Sequence, residues 1–340
     1  MVSSELWFGA EASFYNGVAT QSLRFNDSDN AFLSKTFGSG SQRTWTWSGW
    51  VKRSVLGAAY LYSQLSSGAD VSWLYFNASD QLNMQNYEGG NQVDIKTNAK
   101  FRDVSSWYHV MAVLDTTQST NTDRAKMYVN GELQTSLASS TYPSQNADLK
   151  IGSGDAPFII GATPDSYGTG EGYKFDGYFA EVNFVDGIAL DPTYFGETKN
   201  GVWIPKKYTG SYGTNGFRLQ FAQVGVGTAS SSTIGADTSG NNNHYTSSGI
   251  VASDCNMPDS PENNFATLNP LTAPAGGLEY LEGNLKITRG TVDAYSFAMS
   301  TLAVQTGKWY AELRPQGTIT ANNHMVGVCI TNVKDQSSGD

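Results

Sequence analysis

A chain of 340 residues with 31 acidic against 21 basic side chains, formal charge −10, has no basic face to offer a phosphate backbone, so a nucleic-acid partner is not expected. Charged residues are only 15% of the chain, against roughly 25% in ordinary globular proteins, while 36 glycines and 12% aromatics suit an all-β, loop-rich protein. No apolar run of about 18 residues exists to insert into a membrane, and Cys255 and Cys329 are too few for a disulfide framework and lack metal spacing.

Residues 1–20 hold Leu6, Trp7, Phe8, Phe14 and Tyr15 in a segment with no basic n-region or continuous apolar run, so no signal peptide is visible and folding in a reducing cytoplasm is expected. Such an apolar terminus is expected either to anchor on a neighbouring subunit or to join its own sandwich. Residues 21–25 alternate as a strand before the turn Asn26, Asp27, Ser28 and Asp29. In residues 44–51 the alternation puts Trp45, Trp47 and Val51 on one face and Trp50 on the other. Residues 71–76, 81–85 and 93–97 predict successive meander strands. Residues 107–114 are apolar on both faces, which predicts a central strand. Residues 126–129 lead into Asn130-Gly131, a type I′ hairpin signal, because both turn residues must accept positive φ, and 132–135 return from it. Strands follow at 158–161 and 178–185, separated by a glycine-rich loop over 167–173.

About ten strands before residue 222 predict two packed antiparallel sheets, a jelly-roll β-sandwich over 21–222. Asp191-Pro192 predicts a short helical turn over 191–195. Residues 223–282 are rich in Gly, Ser, Asn and Pro and too thin in apolar groups for a core of their own, so they predict a connector that wraps back or links two bodies. Alternation returns at 284–289, 295–299, 308–314 and 324–331, the strands of a second, partial β-sandwich over 283–340. That second unit is short, so truncation is expected there.

Four motifs in order carry a family resemblance: Trp107-Tyr108-His109-Val110, Met127 to Gly131, Ile159-Ile160-Gly161, and Phe175-Asp176-Gly177 running to Val182. Together they resemble the laminin-G-like, concanavalin A-like lectin/glucanase sandwich. A second set, Ser22 to Phe25, Thr44 to Arg53, Gly201 to Tyr208 and Asn263 to Pro270, is similar to segments found together in virion proteins of aquatic tailed bacteriophages. Gly283-Asn284-Leu285 through Lys308 to Glu312 resembles the start of a SPRY-like domain.

These resemblances imply a tail-fibre-like structural protein of a virion, assembled in the host cytoplasm. It would be a homo-oligomer, by default a trimer, bound to other tail or capsid proteins and to host-surface glycans. The alternatives are a capsid decoration or head-fibre protein, and a polysaccharide depolymerase. Glycan binding on such folds implies an aromatic platform with polar loop donors, for which Tyr167, Tyr173, Trp203, Tyr208 and Tyr212 qualify; packing between subunits is the alternative role for these rings. Leu6, Trp7, Phe8, Phe14 and Tyr15 would anchor the chain to the particle. Calcium, which takes six to eight hard oxygens, would draw on Asp27 and Asp29 or on Asp237 and Asn241, though such loops also simply form turns.

Catalysis is not expected. Glycosidases flank the scissile bond with carboxylates, about 5 Å apart in the retaining case, and no E-x-D-x-x-E spacing is present; Glu181 and Asp186 lie five apart. Glu312-Leu313-Arg314 resembles a fragment of a polysaccharide-lyase strand, but the partner motifs are missing. His109, His244 and His324 are far apart, and His109 in a central strand is expected to be a packed core histidine.

Overall fold

The structure, a computed structural model, describes residues 14–65, 70–149, 151, 156–163, 173–272, 278–289 and 297–315. Two antiparallel sheets face each other. The first has seven strands in the order β1 (Leu23–Phe25), β13 (Gly177–Asp186), β3 (Thr44–Arg53), β8 (Tyr108–Asp115), β9 (Ala125–Val129) and β10 (Glu132–Leu133), with β16 (Phe217–Leu219) beside β1 on β13. The second has eight: β11 (Leu137–Thr141), β7 (Asn91–Lys100), β6 (Gln81–Tyr87), β5 (Val71–Phe76), β4 (Ala59–Leu65), β12 (Pro157–Ile160), β2 (Phe32–Thr36) and β17 (Thr246–Ser248). A hairpin of β14 (Gly196–Lys199) and β15 (Val202–Pro205) stands apart. Two small pairs close the described chain, β18 (Leu268–Asn269) with β21 (Met299–Ser300) and β19 (Leu278–Leu281) with β20 (Lys286–Arg289). The fold is all-β, and among the described residues no helix is long and apolar enough to cross a membrane.

Period-two patterning decides which side chains enter the core. Trp45, Trp47 and Val51 of β3 lie in the inter-sheet core with Val110, Ala112 and Leu114 of β8, whereas Trp50 packs on the opposite face. Asn130 and Gly131 both take positive φ, 50° and 80°, as the hairpin signal requires. Asp191 caps the turn after it, accepting Thr193 N–H at 3.0 Å, and the turn is a single 3₁₀ element over Pro192–Tyr194.

Strand β8 is apolar on both sides because both sides are covered. Met111 and Val113 face outward beneath Phe195, Tyr208 and Tyr212, which belong to the segment over 188–212. Beside them, Trp50, Trp107, Tyr178 and Ala180 lie under Ala19 and Met257. The outer face of the seven-stranded sheet is therefore wrapped by the chain's own segments.

Residues 223–265 form part of that wrapping and also enter the core. Ile234 and Tyr245 are fully buried in it, with Ile250 and Cys255 close behind. Buried ion pairs fasten the wrap: Lys52 Nζ lies 2.8 Å from Asp259, and Arg24 lies 2.6 Å from Asp254. Trp107 Nε1 donates to the same Asp259 at 3.0 Å. From Phe14 onward the N-terminal segment is held likewise, since the Glu262 carboxylate accepts the N–H groups of Gly17, Val18 and Ala19.

The expected strand over 308–314 does not form. Residues 301–315 carry no strand or helix, and Trp309 and Tyr310 are 69% and 85% exposed. Alternation alone cannot make a strand without a neighbour to hydrogen-bond, and no described strand lies beside this segment. Of the described residues of the expected strand over 295–299, which are 297–299, only Met299 pairs, in β21; the strand over 324–331 lies outside the described residues, as do His324 and Cys329.

Candidate functional site

With the outer face of the seven-stranded sheet wrapped, the outer face of the eight-stranded sheet is the one on which no hydrophobic cluster forms among the described residues. Alternation along β5 sends Leu74 and Phe76 into the core and leaves Trp73 and Tyr75 outside, both half-buried. A bulge between Tyr60 and Tyr62 in β4 sends Tyr62 inward while Tyr60 stays on the outer face opposite Tyr75. Rows of side chains then cross the strands. Tyr60, Tyr75, Asn83 and Lys96 form one, and Ser63, Trp73, Gln85 and Asp94 form the next.

The aromatics in this face are ordered against one another. Tyr60 and Tyr75 stack with centroids 4.7 Å apart at 7°, and Tyr173 continues the stack on Tyr60 at 5.7 Å and 14°. Trp73 meets Tyr60 and Tyr75 edge-on, at 5.5 and 6.2 Å. Such contacts fix ring orientation and add about 0.5–1.5 kcal/mol per pair. Burial pushes the Tyr75 hydroxyl up to about 12 and Tyr60 higher still, so both are neutral hydroxyls at physiological pH. Amides supply the polar component: Tyr75 OH donates to Gln85 Oε1 at 3.4 Å, Gln85 Nε2 to Asn91 Oδ1 at 3.1 Å, and Asn77 Nδ2 to Asn83 Oδ1 at 3.1 Å. Aromatic rings beside neutral amides are suited to a ligand with an apolar face and a rim of hydroxyls.

The residues singled out in the sequence scatter. Tyr173, 49% exposed, joins this face, and Tyr167 lies outside the described residues. Trp203 is half-buried on the other side of the sandwich, its indole N–H donated to His109 Nδ1 at 3.1 Å. Tyr208 and Tyr212 correct the expectation of a loop platform. They are 5% and 7% exposed, pack edge-to-face at 5.0 Å, and cover β8 within their own chain. Phe14 lies beneath Lys199 of the β14–β15 hairpin of its own chain and edge-on to Tyr15. Leu6, Trp7 and Phe8 lie outside the described residues.

Asp237 and Asn241 form a loop staple. The Asp237 carboxylate accepts four hydrogen bonds, from Arg218 N, Ser239 N, Ser239 Oγ and Asn243 N, while Asn241 Nδ2 donates to Gly213 and Gly216 carbonyls. Both are turned toward backbone, which explains the residue types without an ion. Asp29 likewise accepts Asn26 Nδ2 at 3.2 Å.

Asp27 has a partner that sequence spacing could not show. It lies against the buried Asp176 of the Phe175-Asp176-Gly177 motif, and burial first, Asp27 second, push the Asp176 carboxyl up to about 7. Because its pKa is raised on folding, the charged form costs stability, beginning above the unfolded pKa near 4 and reaching its full size above about 7. Asp176→Asn is therefore expected to raise Tm at pH 8 by about 5 °C or more, with the gap closing by pH 4. A gap that is constant across that range in thermal scans contradicts the assignment.

His109 is fully buried between Trp50 and Trp203, and burial pulls its pKa down to about 3. Trp203 can only donate, so Nδ1 is the acceptor, and Nε2–H must donate to Ser48 Oγ at 2.8 Å. It is a packed core histidine in one tautomer. Glu181 and Asp186 do not converge either: Glu181 pairs with Arg218, and Asp186 accepts Ser41 and Asn215 N–H groups.

Residues 24–193 match the sequence family described as the concanavalin A-like lectin/glucanases superfamily. No curated protein sequence matches the chain. Among solved structures it is similar to a Bacteroides ovatus protein whose description proposes carbohydrate binding (19% identity, TM-score 0.44, covering 68% of this chain and 59% of that one). It is also similar to the heptameric SAP-like pentraxin of Limulus polyphemus (18%, 0.39, 52% and 79%) and to domains LG4-5 of the mouse laminin α1 chain (14%, 0.37, 63% and 52%).

Proposed function

The chain belongs to the concanavalin A-like lectin/glucanases superfamily, and we propose that it binds carbohydrate on the outer face of its eight-stranded sheet. The observation that carries this is the ordered stack of Tyr75, Tyr60 and Tyr173 beside Trp73 and Gln85, with Tyr173 outermost, on the sheet face where no hydrophobic cluster forms among the described residues. A pyranose would lay its C–H face on the rings and its hydroxyls against Gln85, Asn91 and Asp94. We assign no catalytic step, and a depolymerase is the rival, requiring carboxylates on a cleft near the bound sugar. Titration of the chain with the best ligand from a neutral glycan array is the test. Trp73→Ala and Tyr173→Ala are each expected to weaken binding by about tenfold or more, while Tyr208→Phe leaves it unchanged. The reverse pattern removes this face as the site.

The biological setting we propose is a virion, as a tail-fibre-like subunit of a homotrimer that presents this face to host-surface glycans. The motifs Thr44 to Arg53, Gly201 to Tyr208 and Asn263 to Pro270 support that setting. A decoration protein lying flat on the capsid is the alternative. Tracing the chain in a particle reconstruction separates them, since a fibre places the segment ahead of Phe14 in a tail component.

Calcium is a second proposal, at Asp27 and Asp176. The two carboxylates meet beside Asn26, whose buried Oδ1 has no hydrogen-bond partner. Hard oxygens of this kind suit the ion, which would neutralise the paired carboxylates and tie β13 to the turn after β1. Calcium at pH 8 should then raise Tm of the parent chain and leave Asp176→Asn unaffected.

A further inference from the structure

A groove of about 650 Å³ opens at the end of the sandwich where β8 begins, bounded by Trp50, Trp107 and Trp203 and rimmed by Asn130, Glu132, Gln134 and Thr198. It lies on the seven-stranded sheet's side, away from the tyrosine stack. Its aromatic wall is fixed from behind. Trp203 is anchored through its N–H to His109, and its ring lies against Gly131 and Gly196; a Cβ added at Gly131 would come within 2.7 Å of it. Trp107 is anchored through its N–H to Asp259. Neither indole can turn its N–H toward a ligand, and with Trp107 9% exposed and Trp203 half-buried the carbon surface on offer is mainly that of Trp203.

The rim supplies both kinds of hydrogen-bonding group. Asn130 Oδ1 accepts the His109 N–H, which leaves its amide N–H₂ for the groove. Gln134 gives its N–H₂ to the Glu132 carbonyl, which leaves its Oε1. Thr198 contributes a hydroxyl that donates and accepts, and Glu132 a carboxylate that accepts. Donors and acceptors side by side match hydroxyl groups, which need both, better than an ammonium, which needs acceptors alone. Among the described residues no lysine or arginine lines the groove, so an acidic sugar would meet Glu132 with no described cation to offset it.

We propose that this groove is a second carbohydrate site, taking a neutral pyranose, so that one chain carries glycan sites on opposite sheets of its sandwich. A chain of this kind joins two glycans without forming an oligomer. The inference extends the carbohydrate-binding proposal for the tyrosine face but does not need that face to be occupied.

The test is calorimetric stoichiometry of the full chain with the best neutral oligosaccharide from an array that also displays amino and sialylated sugars. The parent is expected to take two ligands per chain. Thr198→Trp, which fills the groove from its exposed rim, and Trp73→Ala, on the other face, are each expected to leave one; Trp203→Leu, if folded, should behave as Thr198→Trp does. A single site abolished by Trp73→Ala and untouched by Thr198→Trp overturns the groove and leaves the tyrosine face standing. A single site abolished by Thr198→Trp alone keeps the groove and removes the tyrosine face. Binding that both variants leave intact, sialylated sugars preferred by the groove, or no binding by the parent overturns the groove outright.

Discussion

Arg218→Ala is expected to cost about 3–5 kcal/mol at pH 7, because it strands a carboxylate with no water to turn to. Glu181 and Arg218 are 3% and 4% exposed and meet at 2.5 Å from Arg218 Nε to Glu181 Oε1. Burial already pushes the Glu181 carboxyl above its ordinary value, and the Arg218 guanidinium is the largest influence holding it down. Its second oxygen, Oε2, has no hydrogen-bond partner, so Arg218 is the main group that favours its charged form. The backbone offers no relief. Glu181 sits at φ 48° in a bulge where β13 slips against β3 between Ala180 and Asn183, so its side chain cannot swing out without undoing the register. The sign of the pH effect follows. Without Arg218 the folded carboxyl titrates still higher, so the deficit should shrink as pH falls toward the unfolded value near 4.5. Glu181→Gln in the same chain should recover most of the loss, since a neutral amide leaves no buried charge. Urea unfolding of the parent, the two single variants and the double variant measures all of this in one cycle. A loss below about 1 kcal/mol for Arg218→Ala, or no recovery in the double variant, contradicts the account.

That pair also marks where the sequence stops being informative. Period-two patterning separates Trp45, Trp47 and Val51 from Trp50, and Asn130-Gly131 announces its turn, because those features depend on neighbours along the chain. The Glu181 bulge depends on which strand lies alongside, and so does the bulge at Tyr60–Tyr62, which breaks alternation in β4 and hides it from a pattern search. Strand β2 is equally silent: its five residues read Phe-Leu-Ser-Lys-Thr, with little to set them apart from a loop.

The tyrosine face was half-legible. Val71 to Phe76 alternates visibly, but its outer residues are as aromatic as its inner ones, so composition cannot tell a ligand face from a core face. What distinguishes them is coverage, and coverage comes from segments far away in sequence. The same cause misplaced Tyr208 and Tyr212. A Gly- and Tyr-rich stretch looks like a loop platform until the fold lays it over Met111 and Val113.

Ending the chain at residue 222, the boundary suggested by the change in composition, is expected to abolish cooperative folding, whereas ending it at 272 is not. Residues 223–282 are poor in apolar side chains. Those they have are spent in the sandwich core. Tyr245 is fully buried, 4.9 Å from Phe217 and 6.1 Å from Phe37, and Ile234 beside it is also fully buried. Ile250 and Cys255 are each 6% exposed, and β17 closes the edge of β2. Uncovering such side chains costs about 1.5–3 kcal/mol for each large one, and the rings of Phe37 and Phe217 would be opened to water as well. Against a typical domain stability of roughly 5–15 kcal/mol, that loss is decisive. The charges do not drive the effect. Lys52 and Arg24 would lose Asp259 and Asp254 but regain water, so their separation costs little once the wrap is gone. The distinction gives the measurement its force. The doubly neutral variant Lys52→Met with Asp259→Leu should keep a cooperative melt, because the apolar cover stays in place, while the chain ending at 222 should show a broad, non-cooperative transition by calorimetry and bind a hydrophobic dye. A sharp transition from the shorter chain, within a few degrees of the longer one, would place the wrap outside the folding unit.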